Sequence, residues 1–106
     1  DPSTAGYWEY DLYNSSISIS TKAAMLRVEL GGWSAPKAEH LIAYINMLKE
    51  VPVTPVVALG AMCTSNDIQH VLGFSSTKDG YGFSLYQCEG PWRDRFDFLR
   101  VRRVQQ

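Results

Sequence analysis

The first clear pattern is an alternation. In GYWEYDL, Trp8, Tyr10 and Leu12 share one side of an extended segment while Glu9 and Asp11 take the other. YNSS supplies a polar turn, and Ile17 and Ile19 then alternate with Ser16, Ser18 and Ser20, which predicts a second, half-buried antiparallel strand. These five apolar residues are the expected core of the opening hairpin. Ser20 or Thr21 can cap a short helix through KAAMLRVEL, which Gly31 and Gly32 end. A second helix follows, with Ser34 as N-cap and Pro36 in the first turn. Its apolar stripe is Ala38, Leu41, Ile42, Ile45 and Leu48, and Val51–Pro52 stops it.

From residue 54 the pattern changes to strands. TPVVALGAM is apolar throughout and predicts a central strand; IQHVLGFSS and YGFSLYQCEG flank TKDG, whose Asp-Gly pair suits a hairpin turn. GPWRD turns the chain into RFDFLRVRRV, where Phe96 and Phe98 share one face and Leu99 and Val101 the other. Such a strand either contains a bulge or is covered on both faces. The expected fold class is α+β: a single antiparallel sheet of about five to six strands with the helices packed on one face.

At 106 residues the chain is one domain, 1–106, large enough to build a core without disulfides or metals. A composition of 45% hydrophobic and 20% charged residues is that of a globular domain. No apolar run is long enough to span a bilayer, and no direct membrane contact is expected. With no initiator Met and no leader, the chain reads as a segment of a longer protein. Cys63 and Cys88 show no metal-ligand spacing and read as two reduced thiols. That suits the cytoplasm, although sensor domains of this size also work outside the membrane. Asn14-Ser15-Ser16 matches a glycosylation sequon, a tripeptide common by chance.

The net charge of −1 hides a polarity. Residues 91–106 carry five Arg against two acids, whereas residues 1–90 carry five Lys/Arg against nine acids. The pattern points to a partner domain more than to nucleic acid, because Asp94 and Asp97 interrupt the basic run.

GYWEYDL, the polar turn, SISIS and the capped helix together resemble the start of a PAS domain, over about residues 5–30. GFSLYQCEGPWRDRFDFLRVRRV is similar to the long hairpin of that family's sheet. The chain lacks the family's HPDD-like helix segment and DIT-like exit, so the resemblance is to a divergent member. It implies a sensory or regulatory module that binds a small ligand or forms a homodimer, and relays to a fused or partner output domain.

The residues alone offer little chemistry. There is no P-loop, GxSxG, HExxH or GxGxxG, so no enzymatic role is expected. Glu9 and Asp11 read as a solvated strand face. His40, between Ala38 and Leu41, reads as a boundary histidine hydrogen-bonded at the surface. Tyr44, Met47, Met62, Phe83 and Tyr86 are the candidate ligand-pocket residues, of types that also build ordinary cores. Trp33 and Trp92, beside turn glycines, are interface candidates together with Arg100, Arg102 and Arg103. The competing reading is a ligand-free interaction module on another α+β fold that uses the basic last strand as its contact.

Overall fold

The computed structural model of the chain describes residues 8–77 and 80–104. Among these, the order is β1 (Trp8–Asn14), α1 (Thr21–Val28), α2 (Ala38–Met47), β2 (Val56–Ser65), β3 (Ile68–Thr77), β4 (Gly80–Gln87) and β5 (Asp97–Arg103), with a 3-10 turn at Leu30–Gly32. Five strands form one sheet in the order β1-β5-β2-β3-β4. The class is α+β as the pattern predicts, but the sheet is mixed. β5 runs parallel to β2 over Val56↔Asp97 and Val57↔Phe98, and the other pairs are antiparallel. The predicted TKDG turn has its middle residues, 78 and 79, outside the described residues.

The expected second strand does not form. Ile19 makes one isolated bridge to Trp92, and Ile17 is exposed, not core. The serines win here, because Ser20 caps α1 by accepting from the Ala23 N–H, which pulls the segment out of any ladder. Asn14 closes β1 in a similar way. Its side-chain amide donates to the carbonyls of Asp94 and Phe96 and to the Asp97 carboxylate, pinning the turn that leads into β5.

The helices lie on opposite faces of the sheet, not on one. Ala24 and Val28 of α1 pack with Val57, Leu59, Val71, Trp92, Phe96 and Phe98. Leu41 of α2 packs with Val56, Ala58, Leu99 and Val101. Neighbours in sequence fall in different clusters, as strand pleating requires. This settles the two-faced last strand: Phe98 feeds one core layer and Leu99 and Val101 the other.

A chain that leaves α1 on one face and enters α2 on the other must pass through or around the sheet. It passes through. Beyond Val57 and Phe98, β2 and β5 pair no further. Ser34 then bonds Val101 through both backbone groups, at 2.8 and 3.0 Å, and takes the place β2 has left. Pro36 is fully buried in the gap. β2 bends away at an irregularity between Ala58 and Met62, where Gly60 faces the passing segment. A Cβ on Gly60 would stand 2.5 Å from the Pro36 carbonyl oxygen and 2.8 Å from that of Ala35. Both are backbone atoms with no rotamer to yield.

Gly60→Ala is therefore expected to destabilise the domain by about 1–3 kcal/mol, read as a fall in thermal midpoint. Gly82→Ala, where the added carbon meets nothing, is the control and should move the midpoint much less.

Candidate functional site

One opening lies on each face of the sheet. The larger, about 820 Å³, lies between α1 and the β2–β3 tip and is lined by residues including Lys22, Met25, Asp67, Gln69 and Cys88. Its half-buried hydroxyl, that of Thr21, is already committed. Thr21 Oγ1 accepts from Trp92 Nε1 at 2.8 Å and donates to the Cys88 carbonyl at 2.7 Å. Burial pushes the Cys88 thiol above its ordinary pKa, which leaves it protonated and unreactive at neutral pH. Lys22, Asp67 and Glu89 place both charge signs around the opening with no convergence.

The second opening, about 690 Å³, lies on the α2 face where the chain emerges from the sheet. Trp8, Ser34, Ala35, Lys37, Glu39, His40 and Val101 line it. Its polar groups are organised differently. His40 is 9% exposed, buried and not at the surface as its sequence context suggests. Its Nδ1 accepts the Lys37 backbone N–H at 3.0 Å, which fixes the neutral ring with its proton on Nε2. That Nε2–H and the Trp8 Nε1–H are both buried and without a hydrogen-bond partner among the described residues. The two rings meet edge-on, with centroids 4.6 Å apart and planes at 71°. In that arrangement only one ring can aim its N–H at the other's π face, so at least one donor stays unmet.

The α2 N-terminus adds to the imbalance. Lysine has no acceptor atom, so Lys37 at the N-cap position cannot cap the helix with its side chain. The His40 and Leu41 N–H groups reach the Lys37 carbonyl, while those of Ala38 and Glu39 have no partner among the described residues. The Arg103 guanidinium lies 5.8 Å from the Trp8 ring. Glu39 is the one negative group in the lining. The site is thus a cluster of N–H donors with a lysine beside it and few acceptors.

The five pocket candidates do not converge, and none of them lines either opening. Tyr44 packs against Tyr10 on the α2 face, ring centroids 5.7 Å apart, and Met47 is exposed at the end of α2. Phe83 meets Phe74 edge-on at 5.1 Å, also on the α2 face. Met62 pairs opposite Val71, in one row with Tyr86 on the α1 face, and Tyr86 stacks on Trp92 and Phe96. The sheet separates the two groups.

The interface candidates also divide. Trp92 is buried at the centre of an aromatic knot with Tyr86, Phe96 and Phe98, so it is core and not surface. The turn beside it folds its indole inward because Thr21 accepts the N–H. Trp33 is half-buried under two cations, Arg100 at 4.6 Å and Arg102 at 4.2 Å from its ring. Arg100 forms an ion pair with Asp11 at 2.5 Å and Arg102 with Glu9 at 2.9 Å, across the β1–β5 ladder. Glu9 and Asp11 are therefore partners of the basic strand, a pairing that needs the strand register to be seen. Cys63 and Cys88 are free thiols.

The His40–Trp8 cluster was also invisible in the sequence. The signal available was a histidine three residues into a helix with a lysine at its N-cap, a place where a side chain can reach back to the N-cap N–H. Comparison of the chain with family models, with curated proteins and with solved structures gives no match.

Burial holds the His40 pKa below its ordinary value, against the pull of Glu39. The unfolded chain then binds a proton at higher pH than the folded one. The His40 contribution to stability is complete above about pH 6.5 and is lost as pH falls through the lowered folded value. A His40→Phe variant should flatten the pH dependence of the unfolding midpoint below about pH 6.5, as measured by denaturant titration at several pH values.

Proposed function

We propose that this domain is a non-catalytic sensory or regulatory module that binds a small carboxylate-bearing ligand in the opening beside Trp8 and His40. The observation that carries the reading is the pair of buried, unmet N–H donors at the N-terminus of α2. Leaving such donors unmet costs about 1–3 kcal/mol each. A carboxylate is the kind of acceptor these donors lack, and the helix N-terminus and Lys37 favour its charge. The reading is one of binding: the His40 Nδ1 lone pair is already engaged by the Lys37 N–H, so what the ring offers a ligand is its Nε2–H donor.

The resemblance of the opening strand and capped helix to PAS domains agrees with a regulatory role. The reading rests on the cavity and not on that resemblance, because the chain forms no second strand after its first turn. The alternative, an interaction module built on the basic last strand, draws less support. Arg100 and Arg102 have their charges matched by Asp11 and Glu9 and their faces covered by Trp33. A fused or partner output domain would receive the signal.

The indole N–H resonances report directly on the site. Titration with succinate, monitored by ¹⁵N–¹H correlation spectra, should shift the Trp8 indole peak and leave those of Trp33 and Trp92 in place. Trp8→Phe should remove the moving peak, and His40→Phe should weaken binding about tenfold, the worth of one hydrogen bond. A Trp8 indole that stays fixed with succinate, acetate and inorganic phosphate, each up to about 10 mM, overturns the reading.

A further inference from the structure

The far edge of the sheet raises a separate question. β4 is an edge strand of eight residues, GYGFSLYQ, with neither a charge nor a proline. Edge strands are ordinarily protected by such residues, because their outward N–H and C=O groups invite another strand. The opposite edge shows that protection: β1 carries Glu9 and Asp11, both ion-paired. On β4 the side chains alternate sharply. Tyr81, Phe83 and Leu85 lie on the α2 face, in line with Ser76, Phe74 and Leu72 of β3, and are 69%, 46% and 51% exposed. α2 lies over β1, β5 and β2 and does not cover them.

The register determines which backbone groups face outward. Cys88 N–H bonds the Gln69 carbonyl at 3.0 Å, in the same register as the β3–β4 ladder. In an antiparallel ladder the bonding residues alternate, so Tyr86, Ser84 and Gly82 bond inward to β3. Tyr81, Phe83 and Leu85 therefore turn their N–H and C=O groups away from the sheet. The residues with exposed apolar side chains are the same residues whose backbone groups face outward.

That coincidence is self-complementary. We infer that two copies of this chain pair through β4, antiparallel about a two-fold axis at Phe83. Phe83 then faces Phe83 of the second copy, and Tyr81 faces Leu85, twice by symmetry. All three pairings are hydrogen-bonding positions and bring six apolar side chains into one stripe on the α2 face. Ser84 and Gly82 oppose each other on the other face, where their small size leaves the ladder unobstructed. An added Cβ at Gly82 meets nothing within 4 Å among the described residues. The strand has no charge to repel its copy, and a sheet of ten strands results. This pairing is independent of the ligand site and stands or falls apart from it.

Sedimentation equilibrium tests the pairing. The mass should rise from 11.9 kDa toward twice that value as concentration approaches about 1 mM. Phe83→Lys and Phe83→Glu each set like charges directly opposite across the axis and should each raise the dissociation constant about 100-fold. A one-to-one mixture of the two variants should dimerise again, which also shows that both are folded. Amide exchange on the unaltered chain gives a second reading. The Tyr81, Phe83 and Leu85 N–H groups should gain protection as concentration rises. A chain that stays at 11.9 kDa throughout, a dimer that leaves these three amides exchanging freely, or a dimer that survives Phe83→Lys overturns the inference.

Discussion

The parting of β2 from β5 is the constraint on which the rest of this fold depends. The two strands pair in parallel for only two residues, and the space beyond is filled by the segment from Ser34 to Pro36. Because that segment runs through the sheet, α1 and α2 are committed to opposite faces and the small domain acquires two core layers. β5 is then buried from both sides, and it takes Phe98 for one layer and Leu99 and Val101 for the other. Gly60 makes the passage possible by presenting no side chain to two backbone carbonyls. The opening beside Trp8 and His40 is the mouth of this same passage on the α2 face.

Two polar devices brace the α1 face. On the α1 face, Asp11–Arg100 and Glu9–Arg102 zip β1 to β5, and both guanidinium groups stack on Trp33 just before the chain enters the gap. Such half-exposed pairs contribute little singly, but the shared aromatic face fixes two long side chains at once and lowers the entropy each must lose. On the same face, further along the sheet, the Trp92 indole is held by Thr21, whose hydroxyl in turn bonds the Cys88 carbonyl. This short relay ties the start of α1 to the β4–β5 connection and closes the aromatic knot over Phe96 and Phe98.

Much of the architecture was legible in the residues. The apolar run at 54–62 reads as a central strand and is one, and Ser20 caps its helix as its position suggests. The contrary faces of Phe98 and Leu99 hinted at two-sided burial. What the sequence hid was long-range. A Ser/Ile alternation has strand periodicity, but capping and the Asn14 contacts, 80 and 82 residues away along the chain, decide its path. A crossing of the sheet leaves no periodic trace, so helices on one face were the natural expectation. Tyr86 and Phe83 look equivalent along β4, yet their parity sends them to opposite sides of the sheet. A pocket assembled from both could not exist. The actual cluster at His40 depends on one backbone N–H from Lys37, a contact that composition does not reveal.

The helix α2 gives the proposed ligand site and the proposed pairing edge a common element. Its first turn carries His40 and the unmet N–H groups. Its last residues, Ile45 and Asn46, and the segment up to Pro52 line a depression that also includes Phe74 and Tyr81, at the foot of the exposed β4 stripe. Ten helical residues cover about 15 Å, the distance that separates the two. The end away from His40 shares that depression with Tyr81, which lies in the stripe. A ligand can shift an equilibrium only through a difference in affinity between two states. A ligand at the His40 end would therefore alter pairing at β4 only if the paired and unpaired chains present those donors differently; without that difference the two sites act separately.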